Sequence, residues 1–172
     1  MSAKKYVSPS AGAGLTSVII SGLKTPIVPV KFCNLTKPFY YPNSPQVPRF
    51  SVTCLFDAAK TKDFIKTIQD IEKNEKVESI IKLDTEKVDG EFFNTGNYLI
   101  KFQDRIKVPV YSMDSDTEQG MPPDLMELEN ELERGELISV MFNVLRYTKK
   151  NTTTPEFGIS FVPTSIFYYP KE

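Results

Sequence analysis

The sequence predicts a mostly β fold, a small barrel interrupted by one helix, and three observations predict it. Two long β-like stretches, residues 137–148 and 157–169, close the chain. Residues 49–56 alternate, with Phe50, Val52, Cys54 and Phe56 on one side and Arg49, Ser51, Thr53 and Leu55 on the other. One central segment has helical spacing, with Phe64, Ile65, Ile68 and Ile71 in a single apolar stripe. The 172 residues, 40% hydrophobic and 25% charged, suit one domain that needs no disulfide or metal to fold.

Residues 1–16 hold Ser, Gly, Ala and Lys with little periodicity and read as a flexible arm, leaving 17–172 as the domain. Strand pieces are expected at 17–21, 26–33 and 49–56. Between the last two, residues 37–49 carry four prolines, which excludes a helix and reads as a long exposed loop. The helix follows the third of these strands, with Asp57 or Thr61 to cap it and Asn74 to stop it. Residues 77–83 suit a short helix or strand. From 98 to 111 alternation returns: Leu99, Lys101, Gln103, Arg105 and Lys107 face one way, Tyr98, Ile100, Phe102 and Ile106 the other. An acidic insert spans 114–136 and reads as helical from 123 to 134. Several strands with one helix in the middle are the pattern of an OB-like barrel.

What is missing narrows the chemistry. With no histidine, a Ser-His-Asp triad, a Cys-His pair and a His-bearing zinc site are excluded. Two cysteines, Cys33 and Cys54, cannot supply four thiolates; among apolar neighbours they read as buried free thiols of a reducing compartment, which points to the cytoplasm. No phosphate-cradling glycine loop is present, since Ala11-Gly-Ala-Gly14 lies in the arm. Asp114, Asp116, Glu118 and Asp124 could in principle hold a metal, but read as a solvated acidic loop. No run of 18 apolar residues suggests a membrane span, and the opening residues lack a signal-peptide pattern. The expectation is a non-enzymatic protein without cofactor or metal.

Charge is unevenly spread. Residues 1–56 carry Lys4, Lys5, Lys24, Lys31, Lys37 and Arg49 and no acid, where average usage would place roughly seven. Residues 114–136 carry nine acids against Arg134, a net of −8, so the rest of the chain is +7 although the total is −1. A basic body with a separate acidic element suits a polyanion ligand.

Aromatic residues supply the other half of the argument. Eight tyrosines and twelve phenylalanines are present, and several sit beside bases rather than in core patterns. Phe39-Tyr40-Tyr41 lies in the proline-rich loop between Lys37 and Arg49; Tyr111 follows Lys107; Tyr147 adjoins Arg146 and precedes Lys149 and Lys150. Rings stack on unpaired bases and cations pair with phosphates, so this interleaving suits single-stranded nucleic acid. The candidate contacts are Lys31, Lys37, Tyr40, Tyr41, Arg49, Lys101, Arg105, Lys107, Tyr111, Arg146, Tyr147, Lys149 and Lys150. Phe50, Phe56, Phe64, Phe102 and Phe142 follow strand or helix periodicity and are assigned to the core, and Phe167-Tyr168-Tyr169 to the closing strand.

The basic, Pro-rich opening, the strand Pro48-Arg-Phe-Ser-Val-Thr-Cys-Leu-Phe56, the helix after it, and the closing pair 135–147 and 158–166 together resemble the single-stranded-DNA-binding proteins of tailed bacteriophages. The likeness is one of element order over residues 24–169. It implies an OB fold and sequence-independent binding of single-stranded DNA in a basic, aromatic cleft. It also implies protection of replication and recombination intermediates in the host cytoplasm, and contacts with replication or recombination enzymes. Many such proteins end in an acidic tail, whereas this chain ends Tyr169-Pro-Lys-Glu172 and has its acids inside, so partner recruitment would fall to 114–136. Self-association is left open. The competing readings are a phage assembly protein with a self-associating β-domain, and a nuclease using the 114–124 carboxylates.

Overall fold

The computed structural model describes residues 4–6, 16–39, 47–113, 123–148 and 156–170. Its elements are β1 (Lys4–Tyr6), β2 (Thr16–Lys24), β3 (Val28–Phe39), β4 (Arg49–Phe56), α1 (Lys62–Glu75), β5 (Lys82–Val88), β6 (Glu91–Asp104), β7 (Val110–Ser112), β8 (Asp124–Met126), β9 (Leu137–Thr148) and β10 (Phe157–Tyr169). The mostly β class with one helix is as the sequence predicts, and the fold is OB-like. Among the described residues the ten strands form one sheet of order β5-β6-β4-β3-β9-β10-β7-β8, with β2 joined to β9 and β1 to β2. Lys4–Tyr6, within the expected arm, is thus paired to β2. Strand β9 organises the whole: β10 lines one edge along its length, while β2 and the start of β3 share the other.

The sheet coils on itself. Lys31 Nζ on β3 lies 2.9 Å from both Asp84 and Glu86 on β5, although three strand steps separate them, about 14 Å in a flat sheet. Inside, Phe102 of β6 stacks on Phe161 of β10 at 6.0 Å without any backbone pairing of those strands. Phe142 of β9 touches Phe102, Phe161 and, from α1, Phe64. Helix α1 closes one end of this core through Ile65, Ile68 and Ile71. Thr61 stands at its N-cap position but makes no side-chain capping bond, and Asp57 instead fixes the turn that leads into the helix, its carboxylate accepting the Ala59 and Lys60 N–H groups at 2.9 Å. It stops at Lys76, in the left-handed conformation at φ 55°, rather than at Asn74.

Three expectations need correction. Residues 123–134 are not helical: Asp124–Met126 form β8 on β7, and the chain from 127 to 136 is irregular, with the Glu131 carboxylate turned to the Thr36 N–H on β3 and the Glu136 carboxylate to the Glu133 N–H within the segment. Strand β6 ends at Asp104, whose carboxylate accepts the Arg105 and Ile106 N–H groups and turns the chain; Ile106 is 60% exposed instead of continuing the apolar face. Cys54 is fully buried, as expected of a structural thiol, but Cys33 is only half-buried, with burial pushing its thiol up to about 12.

The Lys31 cluster makes stability pH-dependent. Burial opposes the charged Asp84 carboxylate, but hydrogen bonds from Lys31 and Thr95 outweigh it and hold Asp84 below its ordinary 3.8. Hydrogen bonds from Lys31 and then Arg134 hold Glu86 below its ordinary 4.5. Depressed carboxylates stabilise the fold above their ordinary values and lose that contribution as pH falls through their lowered ones. Burial raises Glu72 and works in the opposite sense. Urea midpoints should therefore be level near neutrality and decline below pH 4.5, with a shallower decline in Asp84→Asn. A wild-type midpoint that holds or rises on acidification contradicts this.

Candidate nucleic-acid interface

The outward faces of β3, β4 and β6 form one surface. Directly opposed antiparallel residues project to the same side, so the pairings Phe32↔Thr53↔Lys101 and Asn34↔Ser51↔Gln103 define two rows across the three strands, and Phe39↔Arg49 a third. Val52, Cys54, Ile100 and Phe102, which alternate with these, are buried on the other side. Phe32 is 57% and Phe39 43% exposed. Lys82 on β5 sits opposite Leu99, extending the same sheet beyond Lys101.

Burial and neighbouring charge together lower two cations on this face. Burial, then the like charge of Arg105, holds the Arg49 guanidinium below its ordinary range, with Tyr147 and Asp104 partly compensating. Burial, then Lys82 and Arg49, does the same to the Lys101 ammonium. Arg49 Nε is buried and has no hydrogen-bond partner among the described residues. Positive groups gathered closely enough to disfavour their own charge form a field that an anion relieves.

Tyr147 borders this cluster. The far end of its ring lies against Gly158, its cross-strand partner on β10: a Cβ built on Gly158 would meet the ring's Cζ and Oη at 2.5 Å. Lacking a Cβ, Gly158 leaves the ring the space it occupies at the edge of the basic face. Gly158→Ala must swing the ring aside and is expected to weaken single-stranded-DNA binding about tenfold, as Tyr147→Ala does. Fluorescence anisotropy with labelled oligo-dT reads both; unchanged binding in Gly158→Ala removes Tyr147 from the interface.

The expected contacts divide as follows. Arg49, Lys101, Arg105 and Tyr147 come together, and exposed Lys37 lies on β3 just before Phe39. Lys31 does not join them: it is buried against Asp84 and Glu86 and is not available to a phosphate. Lys107 is exposed beyond the end of β6. Arg146 turns to α1, pairing with Glu75 at 3.2 Å and covering the Phe157 ring at 3.9 Å. Tyr111 stacks on Phe167, whose ring also carries Lys24. Nine residue steps along β10 separate Gly158, beside Tyr147, from Phe167, opposite Tyr111, about 30 Å of strand. Tyr40, Tyr41, Lys149, Lys150, Asp114, Asp116 and Glu118 lie outside the described residues, and no metal-ligand group occurs among the described ones.

Phe32, Phe39 and Lys82 are the additions. Phe32 escapes alternation from Val28 and Val30 because a bulge intervenes: Val30 faces Cys54, but Phe32 faces Thr53, two residues against one. That extra residue is Lys31, so the same irregularity exposes the ring and buries the lysine. A charge inside an otherwise apolar strand is the one trace of it in the sequence. Phe92 and Phe93 are also exposed, near the tip of the β5–β6 hairpin, where Lys87 covers the Phe92 ring at 5.6 Å and Asp89 and Glu91 lie close in sequence, so this tip lacks the gathering of cations seen around Arg49.

No protein-family model and no curated protein matches the sequence. Solved structures do. The single-stranded DNA-binding protein from bacteriophage Enc34, in a C-terminally truncated form, superposes with a TM-score of 0.59 at 18% identity, over 98% of this chain and 97% of that one. The same phage protein in complex with ssDNA gives 0.55 at 18% identity, over 99% and 95%. The single-stranded DNA-binding protein gp2.5 encoded by bacteriophage T7 gives 0.58 at 11% identity, over 87% and 92%. At these identities the likeness establishes a shared fold over nearly the whole chain.

Proposed function

We propose that this protein binds single-stranded DNA without regard to sequence and protects single-stranded intermediates of phage replication and recombination in the host cytoplasm, without catalysing a reaction. The observation that carries this reading is the outward face of β3, β4 and β6, where Arg49, Lys101 and Arg105 converge beside the exposed rings of Phe32 and Phe39. The phage single-stranded-DNA-binding proteins of the same fold support it, one of them solved with ssDNA. A strand would lay its phosphates along the cations and its bases on Phe32, Phe39 and Tyr147, with Lys37 and the adjoining Tyr40 and Tyr41 extending the track. Every base offers a π-face, so such binding is indifferent to sequence. The acids left exposed on the 114–136 segment, among them Asp124, Glu127 and Glu129, are the proposed contact for replication or recombination proteins.

Fluorescence anisotropy with oligo-dT and with duplex DNA of equal length, at two salt concentrations, tests this. If Arg49, Lys82, Lys101 and Arg105 each neutralise a phosphate, the log–log salt slope is about −3, and the duplex binds far more weakly. A salt-independent affinity, or equal binding of duplex, overturns the reading. Size-exclusion of the same mixtures separates it from a self-associating assembly protein, which would form large species and ignore the DNA.

A further inference from the structure

Strand β3 leaves its regular register just before the third row of the interface. From Asn34 to Phe39 the strand advances five residues while its partner β4 advances two, from Ser51 to Arg49, so residues 35–38 arch out of the ladder. An arch of this kind exposes consecutive N–H groups that need acceptors. One carboxylate serves them. Glu131 Oε1 accepts from the Leu35 and Thr36 N–H groups, the latter at 2.9 Å, and lies 3.5 Å from the Cys33 thiol. Its Oε2 accepts from the Thr36 hydroxyl at 2.7 Å and the Lys37 N–H at 3.3 Å. Just beyond, Gly135 N–H donates to Val30 O and Val30 N–H to Glu136 O, so the end of the acidic segment lines the edge of β3 from Val30 to Lys37.

We infer that Glu131 is a positioning residue of the single-stranded-DNA site: by holding the 35–37 arch it aims Lys37 and Phe39, and this acid therefore strengthens the binding of a polyanion. The inference rests on the single-stranded-DNA reading above. It inverts the electrostatic expectation, under which removing a negative charge next to a basic face should tighten DNA binding. Glu129, exposed and two residues away, supplies the matched control.

The experiment is a double-mutant cycle in oligo-dT affinity. Glu131→Gln keeps the shape but turns an NH2 group toward N–H donors, and is expected to weaken binding about tenfold; Glu129→Gln leaves affinity unchanged or raises it slightly. Thr36→Val, which removes only the hydroxyl bond, is expected to weaken binding about threefold and guards against a Glu131 variant that does not fold. If Glu131 acts through the arch, Phe39→Ala costs much less in the Glu131→Gln background than alone, and amide exchange of Leu35, Thr36 and Lys37 accelerates. A merely structural role lowers the melting temperature but leaves the cycle additive. Binding by folded Glu131→Gln that equals or exceeds wild type, an additive cycle, or a Thr36→Val variant of wild-type affinity overturns the inference. Absence of wild-type binding to oligo-dT instead refutes the functional reading on which it stands.

Discussion

Replacing Phe32 and Phe39 together with alanine is expected to weaken oligo-dT binding by about 2–6 kcal/mol while leaving the melting temperature near that of the wild type. Each base stacked on a ring contributes about 1–3 kcal/mol by alanine substitution, and the two rings occupy separate rows of the β3–β4 ladder, opposite Thr53 and Arg49, so their losses should nearly add. Phe32 is more than half exposed and on the opposite side of the sheet from the Phe102–Phe142–Phe161 cluster, so little core packing is lost with it. The loss should be the same for every base sequence, because a ring reads no base edge. Anisotropy titrations with oligo-dT and a mixed-sequence strand measure it. Undiminished affinity would place the DNA on another surface.

The second large effect is on the fold. Phe142→Ala is expected to lower unfolding free energy by about 3–5 kcal/mol, a large part of the ~5–15 kcal/mol a domain of this kind possesses. Phe142 is fully buried and is the ring on which α1, β6 and β10 converge, touching Phe64, Phe102 and Phe161 at centroid distances of 6.2, 4.9 and 5.1 Å. Its removal leaves a cavity that three different elements would have to collapse to fill. Urea unfolding followed by circular dichroism reads the change; a loss below about 1 kcal/mol would mean that the barrel is not held by this cluster.

The two predictions draw on parts of the chain that were unequally legible. Strand alternation from 49 to 56 placed Val52, Cys54 and Phe56 inside correctly, and the 137–148 and 157–169 stretches coincide with β9 and β10. Regular elements show themselves because their period is visible in one sequence. Irregular ones do not: the bulge at Lys31 shifts the phase of everything after it, moving Phe32 out and Lys31 in. The end of β6 was hidden for a similar reason, since Asp104 turns the chain through side-chain bonds that hydrophobic periodicity does not register. The helix expected at 123–134 fails because side-chain bonds that periodicity does not register hold this stretch, Glu131 serving backbone groups nearly a hundred residues earlier. Of the candidate contacts, Arg49 and Tyr147 stood out by base–aromatic interleaving and Lys101 and Arg105 by strand alternation, and these four come together. Arg146 carried the same local signature but points to the opposite side of β9 from Tyr147, and Tyr111 carried it on β7, a different strand, where it stacks on Phe167.

The most direct test is to titrate isotope-labelled protein with oligo-dT and follow backbone amide resonances. The strongest perturbations are expected at residues 32–39, 49–53, 101–105 and 147, with Tyr111 and the β7–β8 pair little changed. Perturbations centred on β7, β8 and the end of β10, or none at saturating DNA, would contradict it.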